Sequence, residues 1–72
     1  LSKGADPNLT GRDGDTALII ASRIGFEEGA ERLLGKGANI NAGNGLGVTP
    51  LIAAVQQRQP AMVKYLLGKG AD

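Results

Sequence analysis

The stretch Leu33-Leu34-Gly35-Lys36-Gly37-Ala38 returns letter for letter at Leu66-Leu67-Gly68-Lys69-Gly70-Ala71, and a close variant, Leu1-Ser2-Lys3-Gly4-Ala5-Asp6, opens the chain. Recurrence at a fixed distance is the mark of a structural repeat, so the informative comparison is the chain against itself. At an offset of 33 residues, 16 of the 39 overlapping pairs are identical. They cluster at small, apolar and helix-starting positions: Gly14 on Gly47, Thr16 on Thr49, Leu18 on Leu51, Ile19 on Ile52, Ala21 on Ala54. A compositional accident would scatter its matches, so the period is architectural.

Each unit reads as two short helices and a loop. Thr49 is a good N-cap, because its hydroxyl can accept from an orphan first-turn N–H. Pro50 follows at the first helical position, where a missing N–H costs nothing. A helix is expected over about Pro50 to Gln56, with small residues Ala53 and Ala54 allowing close backbone approach. The matching helix spans about Thr16 to Arg23. Pro60 starts a second helix with an apolar stripe at Met62, Val63, Leu66 and Leu67. Its earlier counterpart carries Glu27 and Glu28 in the first turn, where the helix dipole favours negative charge, and an i,i+4 pair in Glu28 and Arg32. Both second helices should end at the repeated phrase, with Gly35 or Gly37, and Gly68 or Gly70, turning left-handed. The phrase is then a helix end plus a turn and needs no ligand to explain it. Between the helix pairs, segments rich in Gly, Asn and Asp predict extended or hairpin-like fingers.

The composition narrows the chemistry. Seventy-two residues make at most one small domain. Eight Lys plus Arg against seven Asp plus Glu leave a net charge of +1, which gives no reason to expect a nucleic-acid or membrane partner. Phe26 and Tyr65 are too few for a base-stacking platform. With no Cys and no His, disulfides, thiolate or imidazole metal sites and His- or Cys-based catalysis are excluded. The glycine run Gly43 to Gly47 lacks the spacing of a dinucleotide fingerprint, and the Gly-Lys pairs lack the Ser or Thr of a P-loop. Asp13 and Asp15 lack the remaining ligands of a calcium loop. Ser22 has no base, and Tyr65 is expected to keep its hydroxyl at water. No catalytic group and no cofactor is expected.

Taken together, the residues resemble the ankyrin repeat. The family's Gly-x-Thr-Pro-Leu-His-x-Ala-Ala is similar to Gly47 to Ala54 and, more loosely, to Gly14 to Ser22. Its Leu-Leu-x-x-Gly-Ala-Asp-x-Asn is similar to Leu33 to Asn41, to Leu66 to Asp72 and, minus one leucine, to Leu1 to Asn8. Departures are Ile19 and Ile52 in place of the histidine, Ala17 in place of the proline, and Arg58 at the inter-helix glycine position that Gly25 keeps. Gly29, worth roughly 1 kcal/mol against Ala inside a helix, is expected to loosen the earlier second helix.

The resemblance implies an all-α helical-repeat solenoid of antiparallel helix pairs with β-hairpin-like finger loops. The expected organisation is one segment: 1–10 ending a preceding unit, 11–43 a first full unit and 44–72 a second. It opens on Leu1 without a charged-then-apolar leader and is read as a piece of a longer array. The implied function is a non-catalytic protein-protein interaction module whose partner, another protein, docks on finger tips and the concave first-helix surface. The matching positions are Arg12, Asp13, Asp15, Arg23 and Ile24, then Gly45, Leu46, Val48, Gln56 and Gln57. Among them Leu46, Val48 and Ile24 are apolar where exposure is expected. The alternative is a structural spacer of a longer array. Uncapped apolar ends would then allow head-to-tail self-association.

Overall fold

The computed structural model describes residues 10, 11 and 14–71. The expected end of a preceding unit, at 1–9, together with Arg12, Asp13 and Asp72, lies outside the described residues. Four helices follow in order: α1 (Ala17–Ile24), α2 (Glu27–Gly35), α3 (Pro50–Gln56) and α4 (Pro60–Gly68). The α1–α2 and α3–α4 segments form the two helix pairs, and α1 packs on α3.

The local causes repeat with the sequence. Thr16 and Thr49 both stand in extended backbone, and their hydroxyls accept from the Ile19 and Ile52 N–H groups at 3.1 and 3.3 Å. Both second helices end in the same cap. Gly37 and Gly70 are left-handed, at φ 96° and 95°. The Gly37 and Ala38 N–H groups donate to the Leu34 and Leu33 carbonyls, and Gly70 and Ala71 do the same to Leu67 and Leu66. This double bond to the last turn is the Schellman cap. Of the alternatives left open by the sequence, Gly37 and Gly70 make the turn, while Gly35 and Gly68 are the last helical residues.

The helix-to-helix turns repeat too. Gly25 sits at φ 77°, and Arg58, its counterpart, is the one described non-glycine residue with positive φ, at 54°. Gly25 also lies beneath a neighbour: a Cβ there would stand 2.6 Å from the Gln59 amide oxygen.

The core comprises Leu18, Ala21, Ala30, Ala54, Met62 and Leu66, with Leu33, Leu34, Leu51, Val63 and Tyr65 packed against it. Small residues on facing helices, Ala21 and Ala54, let α1 and α3 approach. The expected stripe on α4 needs a correction. Met62 and Leu66, four residues apart on one helix face, are buried and Val63 is half-buried, but Leu67, one position round the helix from Leu66, is exposed. Gly29 also has a specific use: the Phe26 ring lies over it, 2.5 Å from where a Cβ would be. Tyr65 differs from its expected place. Its hydroxyl is buried without a hydrogen-bond partner, and burial, then Glu31 and Glu27, raise its pKa. Lys69 lies 5.6 Å over its ring.

Candidate protein-binding surface

The two fingers are tight turns with the same bonds. Gly11 N–H donates to the Asp15 carbonyl and Gly14 N–H to the Gly11 carbonyl; 33 residues on, Asn44 N–H donates to Val48 and Gly47 N–H to Asn44. The only pairing of extended backbone described is a single antiparallel bridge between Thr10 and Thr16. Among the described residues the fingers therefore contain no strand, and a full hairpin does not form there. Gly14 approaches the next finger so closely that a Cβ would lie 3.0 Å from the Gly45 nitrogen.

Asn44 organises this region. Its side-chain oxygen accepts from the Leu46 and Val48 N–H groups at 2.8 and 3.0 Å, an Asx turn that shapes the second finger. Its side-chain amide donates to Asp15 Oδ1 at 2.8 Å. Asp15 Oδ2 accepts from Arg23 at 2.9 Å. One carboxylate thus links a guanidinium on α1 to an amide on the following finger. The Arg23 hydrogen bond, and then that of Asn44, hold the Asp15 carboxyl below its usual range, so it is ionised at neutral pH.

Asp15, Arg23, Asn44, Gly45 and Leu46 line one open concavity of about 450 Å³. Leu46 stands on its rim, 88% exposed, and Val48 is half-buried behind it. Gln56 and Gln57 are exposed at the end of α3. Ile24 is exposed but elsewhere. It lines a separate apolar depression with Ile20, Phe26 and Leu33, so it does not join Leu46 and Val48 in one patch. Arg12 and Asp13 lie outside the described residues. Asn44 is the position that reading the sequence left out. Its signal was there in the spacing to the Leu46 and Val48 N–H groups, but its partner Asp15 is 29 residues away.

These features define an array of helix pairs linked by turn-rich fingers. A family model of ankyrin repeats, in three copies, matches residues 1–72, and the chain belongs to the ankyrin-repeat family. It is similar to the mitochondrial disaggregase of Homo sapiens, 41% identical over 58 residues, 81% of this chain and 8% of that protein. Protein PhlB of Serratia liquefaciens is 40% identical over 73 residues, all of this chain and 32% of the relative. The Neurogenic locus Notch protein of Drosophila melanogaster is 38% identical over 68 residues, 93% of this chain and 2% of the relative. The chain thus spans about a third or less of the length of these curated relatives. Ankyrin repeats are generally non-catalytic modules that bind other proteins. No helix among the described residues is long and apolar enough to cross a membrane.

Proposed function

We propose that this chain binds a protein partner through the second finger and the α1 surface beside it. The observation that carries the reading is the Asp15–Arg23–Asn44 network, which fixes two fingers together while leaving Leu46 almost wholly at water. A rigid polar floor with an apolar rim suits an extended peptide segment that places an apolar side chain on Leu46 and main-chain groups over the floor. Rigidity limits the entropy lost on association. The test is to select binding peptides from a random library on the chain and map them by amide chemical shifts. Shifts should concentrate at 14–16, 23 and 44–48, and Leu46→Ser should weaken binding at least about tenfold. Shifts confined to α2 and α4, or affinity indifferent to Leu46→Ser, would remove the reading.

A second reading, an interior spacer of a longer array with units at 11–43 and 44–72, is favoured by apolar side chains left exposed in both units, Ile20, Ile24 and Phe26 in the first, Val55 and Leu67 in the second.

A further inference from the structure

The second finger holds a pair of residues whose chemistry the peptide reading does not use. Asn44 is followed by Gly45, whereas the other described asparagines, Asn39 and Asn41, are followed by Ile40 and Ala42. An asparagine side chain can be attacked at Cγ by the main-chain nitrogen of the next residue. A side chain on that next residue crowds the approach, and glycine has none. Among the described residues the Gly45 N–H donates to no acceptor, so the attacking nitrogen has no hydrogen bond to give up.

The fold restrains the group under attack instead. Asn44 Oδ1 accepts from the Leu46 and Val48 N–H groups, and Nδ2 donates to Asp15 Oδ1 at 2.8 Å. All three bonds are made to a planar amide. Attack makes Cγ tetrahedral and swings Oδ1 and Nδ2 out of that plane, so the bonds must loosen before a ring can close. Departure of Nδ2 breaks the Asp15 bond outright. Gly11 stands at the corresponding position of the first finger, which therefore lacks the reactive pair.

We propose that Asn44–Gly45 is a self-modification site, held in check by the Asn44–Asp15 bond and, once converted, unable to re-form it. Gly45 N gives its proton to solvent and bonds to Asn44 Cγ. The Cγ–Nδ2 bond then breaks, and Nδ2 takes a proton from water and leaves as ammonia, with a five-membered cyclic imide left behind. Water opens the imide at either carbonyl, giving an aspartyl or an isoaspartyl residue at position 44. The net change is amide plus water to carboxylate plus ammonium, with no oxidant, reductant or enzyme required. The product faces the Asp15 carboxylate with a carboxylate where a donor stood. An ionised carboxylate cannot donate, and like charges at that distance repel, so the tie between the fingers is lost. The change also removes the chain's one unit of net positive charge. It needs no bound partner, so it stands or falls apart from the peptide reading.

Peptide mapping by mass spectrometry after prolonged warm incubation at neutral pH tests it, with the chain kept folded in buffer or unfolded in urea. In urea, position 44 should gain the mass of an NH-to-O exchange well ahead of Asn39 and Asn41, partly as the isoaspartyl form. In the folded chain the same conversion should be at least about tenfold slower, the scale of one hydrogen bond. Asp15→Val, patterned on Val48 at the corresponding position of the second unit, removes the guard and should bring the folded rate towards the rate in urea. If that variant loses its helical circular dichroism, the comparison of wild type in buffer and in urea decides the guard by itself. Converted chain, separated by ion exchange, should unfold at lower urea concentration than unconverted chain, as should Asn44→Asp. Equal rates at the three asparagines in urea, or a folded wild-type rate equal to the rate in urea, would overturn the proposal. So would a folded Asp15→Val no faster than wild type, or converted chain as stable as the original.

Discussion

The Gln59 side-chain amide donates to the main-chain carbonyl of Arg23 at 3.1 Å, joining residues 36 apart at the point where α1 ends and α4 begins. That carbonyl lies in the last turn of α1, where no intrahelical partner is available. The bond passes directly over Gly25, which has room for it only because it lacks a side chain.

Gly25→Ala should therefore cost twice, once for a left-handed backbone and once for displacing Gln59. A loss of about 2 kcal/mol in urea unfolding is expected. Gln59→Ala alone should cost about 1 kcal/mol, and the double variant should lose less than the two single losses added together. Strict additivity would show that the two residues do not share this contact.

Arg58 holds the same turn position in the second unit, at φ 54°, where Gly25 stands in the first. Arg58→Gly removes the left-handed penalty but adds chain entropy to the unfolded state. The net gain should be about 0.5–1 kcal/mol. A melting temperature unchanged or lowered would mean that Arg58 contributes a contact that outweighs the backbone cost.

Ser22 is fully buried and its hydroxyl has no hydrogen-bond partner, in the position where the second unit carries Val55. Ser22→Ala removes an unsatisfied polar group and should stabilise by about 1 kcal/mol, raising the melting temperature by roughly 4–8 °C for a domain of this size. Tyr65→Phe should move the same way for the same reason. A loss of stability in both variants would show that those hydroxyls are satisfied in solution.

Asp15 should contribute to the acid limb of stability. Its folded-state pKa is depressed, first by Arg23 and then by Asn44. Its contribution is therefore complete above the unfolded value of about 4 and disappears as pH falls through the lower folded value. Asp15→Asn should flatten the stability profile in that acidic window and reduce its dependence on salt. A profile from pH 5 down to about 2 that matches the wild type would show that the carboxylate is not held by these partners.

Local signals carried the fold a long way. Thr16 and Thr49 cap their helices, and the repeated phrase closes α2 and α4, because each of these features involves residues within about five positions of one another. What the sequence hid was set across the stack. Nothing near Asn44 announces that its amide will reach Asp15, and nothing near Gln59 points to Arg23. The burial of the Tyr65 hydroxyl was hidden for the same reason, since it depends on how α4 lies against its neighbours. Ile24 illustrates the limit for the candidate surface. Its exposure was foreseeable, but not that it belongs with Ile20 and Phe26 rather than with Leu46.

The close approach of Gly14 to the Gly45 nitrogen leaves no room for a side chain between the two fingers, and the Asn44–Asp15 bond ties the same fingers together. The Leu46 side chain stands 88% exposed beyond these contacts, so evolution can rewrite it to suit a new target while the distance between fingers stays as it is. Recognition can diversify there without disturbing the geometry that lines one unit up with the next.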